Sequence, residues 1–205
     1  MPGSDDTSRA GDPTPEELTP TRVGSLLEDY RARLQRMVDL RMDPHVRARI
    51  DSSDVIQEAY AEVLHRLPAY RNSPDMPFFL WVRFITGQKL LQAHRHHLGA
   101  QERDPRREVG ILGGVPDMSS VMLASVIADS GLLSPSQAIV KEEQAERLKV
   151  ALDQLKPIDR EVIVLRHFEH LTNSEIAQVL GLKESGATLR YTRALKRLSE
   201  ILGQA

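Results

Sequence analysis

The chain has 205 residues, of which 40% are hydrophobic and 27% charged, and no cysteine. That length suits one or two small globular domains, and the missing cysteines exclude disulfides, thiolate zinc sites and cysteine nucleophiles. No apolar run approaches the roughly 18 residues of a membrane-spanning helix. The first residues have neither the basic start nor the apolar stretch of a secretory signal, so no membrane insertion is expected and the cytoplasm is the expected compartment.

The formal net charge is -2, but it is unevenly spread. Residues 1–20 carry Asp5, Asp6, Asp12, Glu16 and Glu17 against Arg9, and residues 51–62 carry Asp51, Asp54, Glu58 and Glu62 with no base. Residues 83–107 and 183–197 are basic, through Arg83, Lys89, Arg95, Arg103, Arg106 and Arg107, and through Lys183, Arg190, Arg193, Lys196 and Arg197. A polyanion feels these local fields rather than the near-neutral total.

Residues 1–22, rich in Pro, Asp, Thr and Gly, read as a disordered acidic tail. From Val23 the apolar positions Leu26, Leu27, Tyr30, Leu34, Met37 and Val38 recur at helical spacing, and Pro44 ends or kinks that helix. A second helix is predicted from about Ser53 to Leu67, capped by Ser52 or Ser53 and closed by Pro68. Its expected buried side is Val55, Ile56, Ala59, Tyr60, Val63, Leu64 and Leu67. Residues 70–77 are turn chemistry, and a further helix is predicted from Phe78 to about Leu98. Residues 99–135, with paired glycines and two prolines, read as a flexible linker averaging about 35 Å end to end.

From Pro135 helical spacing resumes. Ile139, Leu148, Leu152 and Leu155 mark one helix, and Val162, Ile163, Leu165, Arg166 and Phe168 mark a short second one. Thr172-Asn173-Ser174-Glu175 is a capping box, Gly181 suits a left-handed helix end, and a last helix runs from near Ser185 to about Leu202. No strand alternation appears, so the expected fold is all-α, with two small helical domains joined by the linker.

Three segments carry chemistry. Residues 172–198 form a helix-turn-helix, built to place its second helix in a major groove. In that helix Ala187, Tyr191, Ala194, Leu195, Leu198 and Leu202 define the buried face, and Gly186, Arg190, Arg193 and Arg197 fall along the opposite one. Residues 70–98 join a turn and an aromatic cluster to a polar helix face of Gln88, Lys89, Gln92, Arg95 and His96. Aromatics beside bases can hold single-stranded nucleic acid, although Phe78, Trp81 and Ile85 themselves read as core. On the acidic helix, Asp54, Gln57, Glu58 and Ala61 share one face with Glu62 beside them, a stripe suited to a basic partner helix. His94, His96 and His97 lack the further ligands a metal shell needs. No nucleophile elbow, phosphate loop or dinucleotide glycine motif is present, so neither metal, cofactor nor catalytic residue is expected.

The C-terminal half resembles region 4 of the sigma-70 family of RNA polymerase sigma factors. The resemblance lies in Leu155-Lys156-Pro157, Arg160-Glu161-Val162, Glu169-His170-Leu171, Glu175-Ile176-Ala177, Leu180-Gly181 and Arg193-Ala194-Leu195-Lys196-Arg197-Leu198. Asp54-Val55-Ile56-Gln57-Glu58-Ala59-Tyr60 resembles the polymerase-binding helix of region 2, and Phe78-x-x-Trp81 through Ile85 and Arg95 resembles its promoter-melting part. With no room for a region 1.1 or region 3 domain, the resemblance is to the extracytoplasmic-function (ECF) group. It implies region 2 over 23–98 and region 4 over 136–205. It further implies core RNA polymerase, through its β′ and β subunits, and promoter DNA as partners, and leaves room for an anti-sigma factor.

The residues the resemblance singles out fall into three sets. Asp54, Gln57, Glu58, Ala61 and Glu62 would bind core polymerase. Arg71, Asn72, Ser73, Asp75, Lys89, Gln92, Arg95 and His96 would contact the −10 element. Thr188, Arg190, Arg193, Lys196 and Arg197 would contact the −35 element. The chain departs from the family at Gln88-Lys89 and Gln92 and at Ser185-Gly186-Ala187-Thr188-Leu189-Arg190. Two competing expectations are a helix-turn-helix regulator acting without polymerase and a helical adaptor that binds only protein.

Overall fold

The computed structural model describes residues 12–97 and 138–203, with side chains from Glu146 onward in the second stretch. The first part of the expected tail and the whole expected linker therefore lie outside the described residues. The described chain already has structure at Pro15–Glu17, a 3-10 turn that Thr14 closes by donating its backbone N–H to Glu17 at 2.8 Å. Leu18, the one leucine of that polar stretch, is 0% exposed. Its side chain joins the main core and so anchors the segment on the protein, which an average over composition does not register.

Thr19 caps helix α1 (Pro20–Arg41), its Oγ1 accepting from the N–H of Arg22 at 3.3 Å. Val23, Leu26, Leu27, Leu34, Met37 and Val38 all face inward, as the spacing predicts. Asp43 stops the chain and caps the short helix α2 (Pro44–Arg47). Helix α3 (Ser52–Asn72) is capped by Asp51 rather than by either serine. Its carboxylate accepts from Ser53 at 2.9 Å, while Asp54 reaches back to the N–H of Asp51 at 3.1 Å. A charged acceptor outcompetes a hydroxyl at a helix start.

Pro68 does not end α3, which continues for another turn. A mid-helix proline removes one donor, and the carbonyl it would have served is that of Leu64. Pro68 and Leu64 are both exposed, so water can satisfy that carbonyl. The extra turn brings Tyr70 into the core, stacked on Trp81 at 4.4 Å and donating from its hydroxyl to the carbonyl of Met76 at 2.7 Å. Leu64 itself, expected in the core, is 50% exposed. Helix α4 (Phe78–His97) follows, and Phe78 and Ile85 are core as expected while Trp81 is half-buried.

The second stretch holds α5 (Ala138–Asp153), α6 (Pro157–His167), α7 (Asn173–Leu180) and α8 (Glu184–Gly203). Thr172 and Glu175 form the expected capping box at α7, with bonds of 3.1 and 2.7 Å. Gly181 ends α7 at φ 63°, where a side chain would be strained. Along α8 the burial of Ala187, Ala194 and Leu198 follows the predicted face, but Leu202 is 38% exposed. Among the described residues every regular element is helical. The largest apolar cluster joins Leu18, Leu34, Val63, Phe78 and Ile85 to Val162, Leu165, Ile176 and Ala187, so both ends of the chain share one core.

Candidate functional site

The polar stripe of α3 is open to solvent. Asp54, Gln57, Glu58 and Ala61 are exposed, and Glu62 is half-buried at its edge. Glu62 pairs with Arg66 at 2.5 Å and with Lys89 of α4 at 3.2 Å. Hydrogen bonds from those two cations hold its carboxyl below the usual range. The stripe does not stop at Glu62: Leu64 lies seven residues beyond Gln57 and so on the same face. Sequence reasoning placed it in the core because apolar residues at helical spacing usually are.

The next candidates surround the start of α4. Arg71 and Asn72 sit on the last turn of α3, so the connecting loop is shorter than expected, running from Ser73 to Pro77. All of Arg71, Asn72, Ser73 and Asp75 are exposed. Arg71 donates from Nε to the carbonyl of Pro15 at 3.2 Å, and Asp12 accepts from the N–H of Phe78 at 2.9 and 3.0 Å. Burial pushes the Asp12 carboxyl up, against the lowering effect of the Phe78 bond. Asp12, Pro15, Tyr70, Pro74, Asp75 and Met76 line an open cleft of about 330 Å³, and Gln178 of α7 closes one side. Gln92, Arg95 and His96 are exposed further along α4, whereas Lys89 is turned toward Glu62. Of the −10 candidates only Asp75 lines the cleft; Arg71 and Asn72 lie on the last turn of α3 with Ser73 just after it, and Gln92, Arg95 and His96 lie on the far half of α4.

In the helix-turn-helix, Thr188, Arg193, Lys196 and Arg197 are exposed on α8. Arg190 is half-buried and bound to Asp159 of α6 at 2.7 Å. Leu189 is 54% exposed, next to Thr188 and one turn before Arg193. It is the apolar member of the outward face. The first helix of the pair is fixed from elsewhere: Glu175 of the capping box receives Arg33 of α1 at 3.3 Å, and Arg33 lies 3.6 Å over the Phe79 ring.

Sequence reasoning passed over the buried charges. Arg41, Arg83, Glu161 and Glu169 are each no more than 5% exposed. Arg83 donates to both oxygens of Glu169 at 2.6 and 3.2 Å, and Arg41 is ion-paired to both Glu161 and Glu169. Burial would raise Glu169, but Arg41 and Arg83 outweigh it and hold its carboxyl at about 2. Glu161 goes the other way: burial pushes it up, only partly opposed by Arg41. The available signal was a charged residue at an inward-facing helical position beside Val162.

The sequence model of the family described as "Sigma-70, region 4" matches residues 145–198. The sigma factor CnrH of Cupriavidus metallidurans is 29% identical over 152 residues, covering 74% of this chain and 73% of that protein. The ECF sigma factor SigD of Mycobacterium tuberculosis is 27% identical over 175 residues, covering 85% of this chain and 74% of that protein. ShbA, an ECF sigma factor of Streptomyces griseus, is 29% identical over 151 residues, with shares of 74% and 71%. A solved structure of CnrH in complex with the cytosolic domain of CnrY matches with a TM-score of 0.50 at 21% identity, over 93% of each chain. That likeness concerns the fold. Among the described residues no helix is long and apolar enough to cross a membrane.

Proposed function

We propose a division of labour from the premise that the chain belongs to the ECF group of the sigma-70 family, whose members direct RNA polymerase in transcription initiation. In this reading residues 23–98 act as region 2 and residues 136–205 as region 4. The α3 stripe, with Leu64 added, docks on core polymerase. The cleft at Ser73–Pro77 takes an unpaired base of the −10 element, with Gln92, Arg95 and His96 following the strand. The outward face of α8 enters the major groove at −35. The protein works in the cytoplasm, where polymerase is, and CnrH bound to a CnrY domain supports an anti-sigma partner for this chain as well.

The observation that carries the reading is the coincidence of the region 4 match, at 145–198, with a capped helix-turn-helix whose second helix presents Thr188, Leu189, Arg193 and Lys196 to solvent. A regulator acting alone would need only that half, yet the matches to sigma factors run over 74% to 85% of the chain. Two weak DNA-binding halves gain affinity when polymerase holds both at the right spacing. The test is a gel shift with and without core polymerase on a promoter fragment, followed by run-off transcription. Specific binding only with core enzyme is expected. Tight dimeric operator binding by the free chain would defeat the reading.

A further inference from the structure

The loop from Ser73 to Pro77 is held at both ends by a segment that precedes the residues read as region 2. Before the loop, Arg71 on the last turn of α3 donates from Nε to the carbonyl of Pro15 at 3.2 Å. After it, the N–H of Phe78, the first residue of α4, meets both carboxylate oxygens of Asp12 at 2.9 and 3.0 Å. Leu18 anchors the same segment in the main core, and Glu17 closes its turn by accepting from the N–H of Thr14. We propose that residues 12–18 are a clamp on the −10 loop, with Asp12 as its positioning residue, and that the clamp sets how sharply the loop discriminates between bases. The proposal rests on the functional reading above, in which that loop receives an unpaired −10 base.

Helix α4 draws its cap from far away in the chain. Pro77 stands directly before it and carries no polar side chain, so the first N–H of the helix depends on an acceptor from elsewhere. Asp12 supplies one from 66 positions back, and its negative charge also suits the positive end of the helix dipole. Losing a cap of this kind typically shifts the local equilibrium about fivefold toward a frayed first turn. That turn begins where the loop ends, so fraying would release Pro77 and Met76 with it.

The rest of the cleft is built for rigidity. Pro13, Pro15, Pro74 and Pro77 all line it, each with φ fixed by its ring, and the Tyr70 hydroxyl ties down the carbonyl of Met76. An extruded base is selected by the fit of its pocket, and a wall loose by about 1 Å loses that selection. Asp12 and Arg71 are themselves exposed, so their bonds add little to folding stability. Their effect falls on where the loop stands, which separates the clamp from ordinary packing.

The test uses the full-length chain in holoenzyme, on a promoter library varied at −10 with a fixed −35 element. Asp12→Ala should flatten the preference at the base the loop reads by roughly three- to tenfold, with −35 ranking and melting temperature near wild type. Asp12→Asn keeps an acceptor for the Phe78 N–H and should restore the wild-type profile, which a general loss of fold would not allow. Deleting residues 1–11 removes Asp5 and Asp6 but spares the clamp, and should leave the profile intact. A second readout needs no DNA. Trp81, the chain's single tryptophan, stacks on Tyr70 of the cleft, so acrylamide quenching of its fluorescence reports on the loop in the free protein. Quenching should rise in Asp12→Ala and return to wild type in Asp12→Asn. A wild-type −10 profile in Asp12→Ala, or an Asp12→Asn profile flattened as much as that of Asp12→Ala, overturns the clamp. A wild-type holoenzyme with no −10 preference at all would instead defeat the functional reading, and the quenching would still show whether Asp12 holds the loop.

Discussion

Asp159, in the first turn of α6, accepts a hydrogen bond from Arg190 at 2.7 Å and ties the recognition helix to its neighbour. At 100° per residue, the direction opposite Ala187, Ala194 and Leu198 is occupied by Ser185, Leu189 and Lys196, with Arg193 beside them. Arg190 falls to one flank, which is why it finds Asp159. In the proposed reading Arg190 therefore positions α8, and base reading would fall to Thr188, Leu189 and Arg193. Arg190→Ala and Asp159→Asn should each cost within about 1 kcal/mol, as half-exposed pairs do, and the double variant should cost no more than the worse single. Neither should reorder −35 preferences. Arg193→Ala should cost about 1–3 kcal/mol and relax one or two −35 positions. Holoenzyme binding across a −35 library separates the two patterns.

Arg197 lies one turn beyond Arg193 and is exposed. A side chain that far from the start of the helix meets phosphate rather than base edges. Arg197→Ala should weaken binding about equally on every sequence and reduce the salt slope by about one. Titrations at several salt concentrations measure both.

Much of this was legible because the helix boundaries rest on local rules. The Thr172–Glu175 box and Gly181 follow from residue type and spacing alone, and the structure shows both. The inward faces of α1 and α8 were legible for the same reason. What escaped depends on partners distant in sequence. Nothing near Glu169 announces Arg83, and nothing near Asp159 announces Arg190. Pro68 misled because the proline rule is local, whereas the burial of Tyr70 against Trp81 carries the helix past it. Leu64 misled because an exposed leucine can keep the same helical spacing as a buried one.

That last point gives a direct test. Leu64 is 50% exposed on the α3 stripe, so Leu64→Ser removes little that the folded chain buries. Its melting temperature should stay within a few degrees of wild type, because exposed substitutions move stability by about 0.5 kcal/mol or less. Affinity for core polymerase should fall roughly four- to tenfold, since burying the exposed half of Leu64 at an interface is worth roughly 0.8–1.5 kcal/mol. Glu58→Lys should act in the same direction. It is a cleaner charge reversal than Asp54→Lys, because Asp54 also closes the helix cap with Asp51. Retained affinity in both variants would remove the stripe from the interface.

The loop from Ser73 to Pro77 should carry −10 preference independently of −35. Exchanging it for the loop of a relative should change which −10 sequences are melted and leave −35 ranking untouched. Tyr70 and Trp81 must stay, because Tyr70 lines the cleft and Trp81 stacks on it. Transcription from a −10 library with a fixed −35 element reads the outcome, and an unchanged −10 profile would reduce the loop to a connector.

The buried cluster also makes a signed prediction about acid. Glu169 is held at about 2, far below its ordinary value of 4.5, because Arg41 and Arg83 outweigh its burial. A carboxyl lowered on folding contributes stability that is present above its unfolded value and lost as pH falls through the folded one. Glu169 therefore drives loss of stability from about pH 4.5 down toward 2. Glu161, raised by burial, has the opposite sign: the folded state holds its proton more tightly, so it gains stability as pH falls through the upper carboxylate range. Urea unfolding between pH 7 and 3 should then show a shallower acid loss for Glu169→Gln than for wild type, and a steeper one for Glu161→Gln. Parallel curves for all three proteins would mean that neither carboxyl changes its proton affinity on folding, and the two arginines would have no electrostatic hold on Glu161 and Glu169.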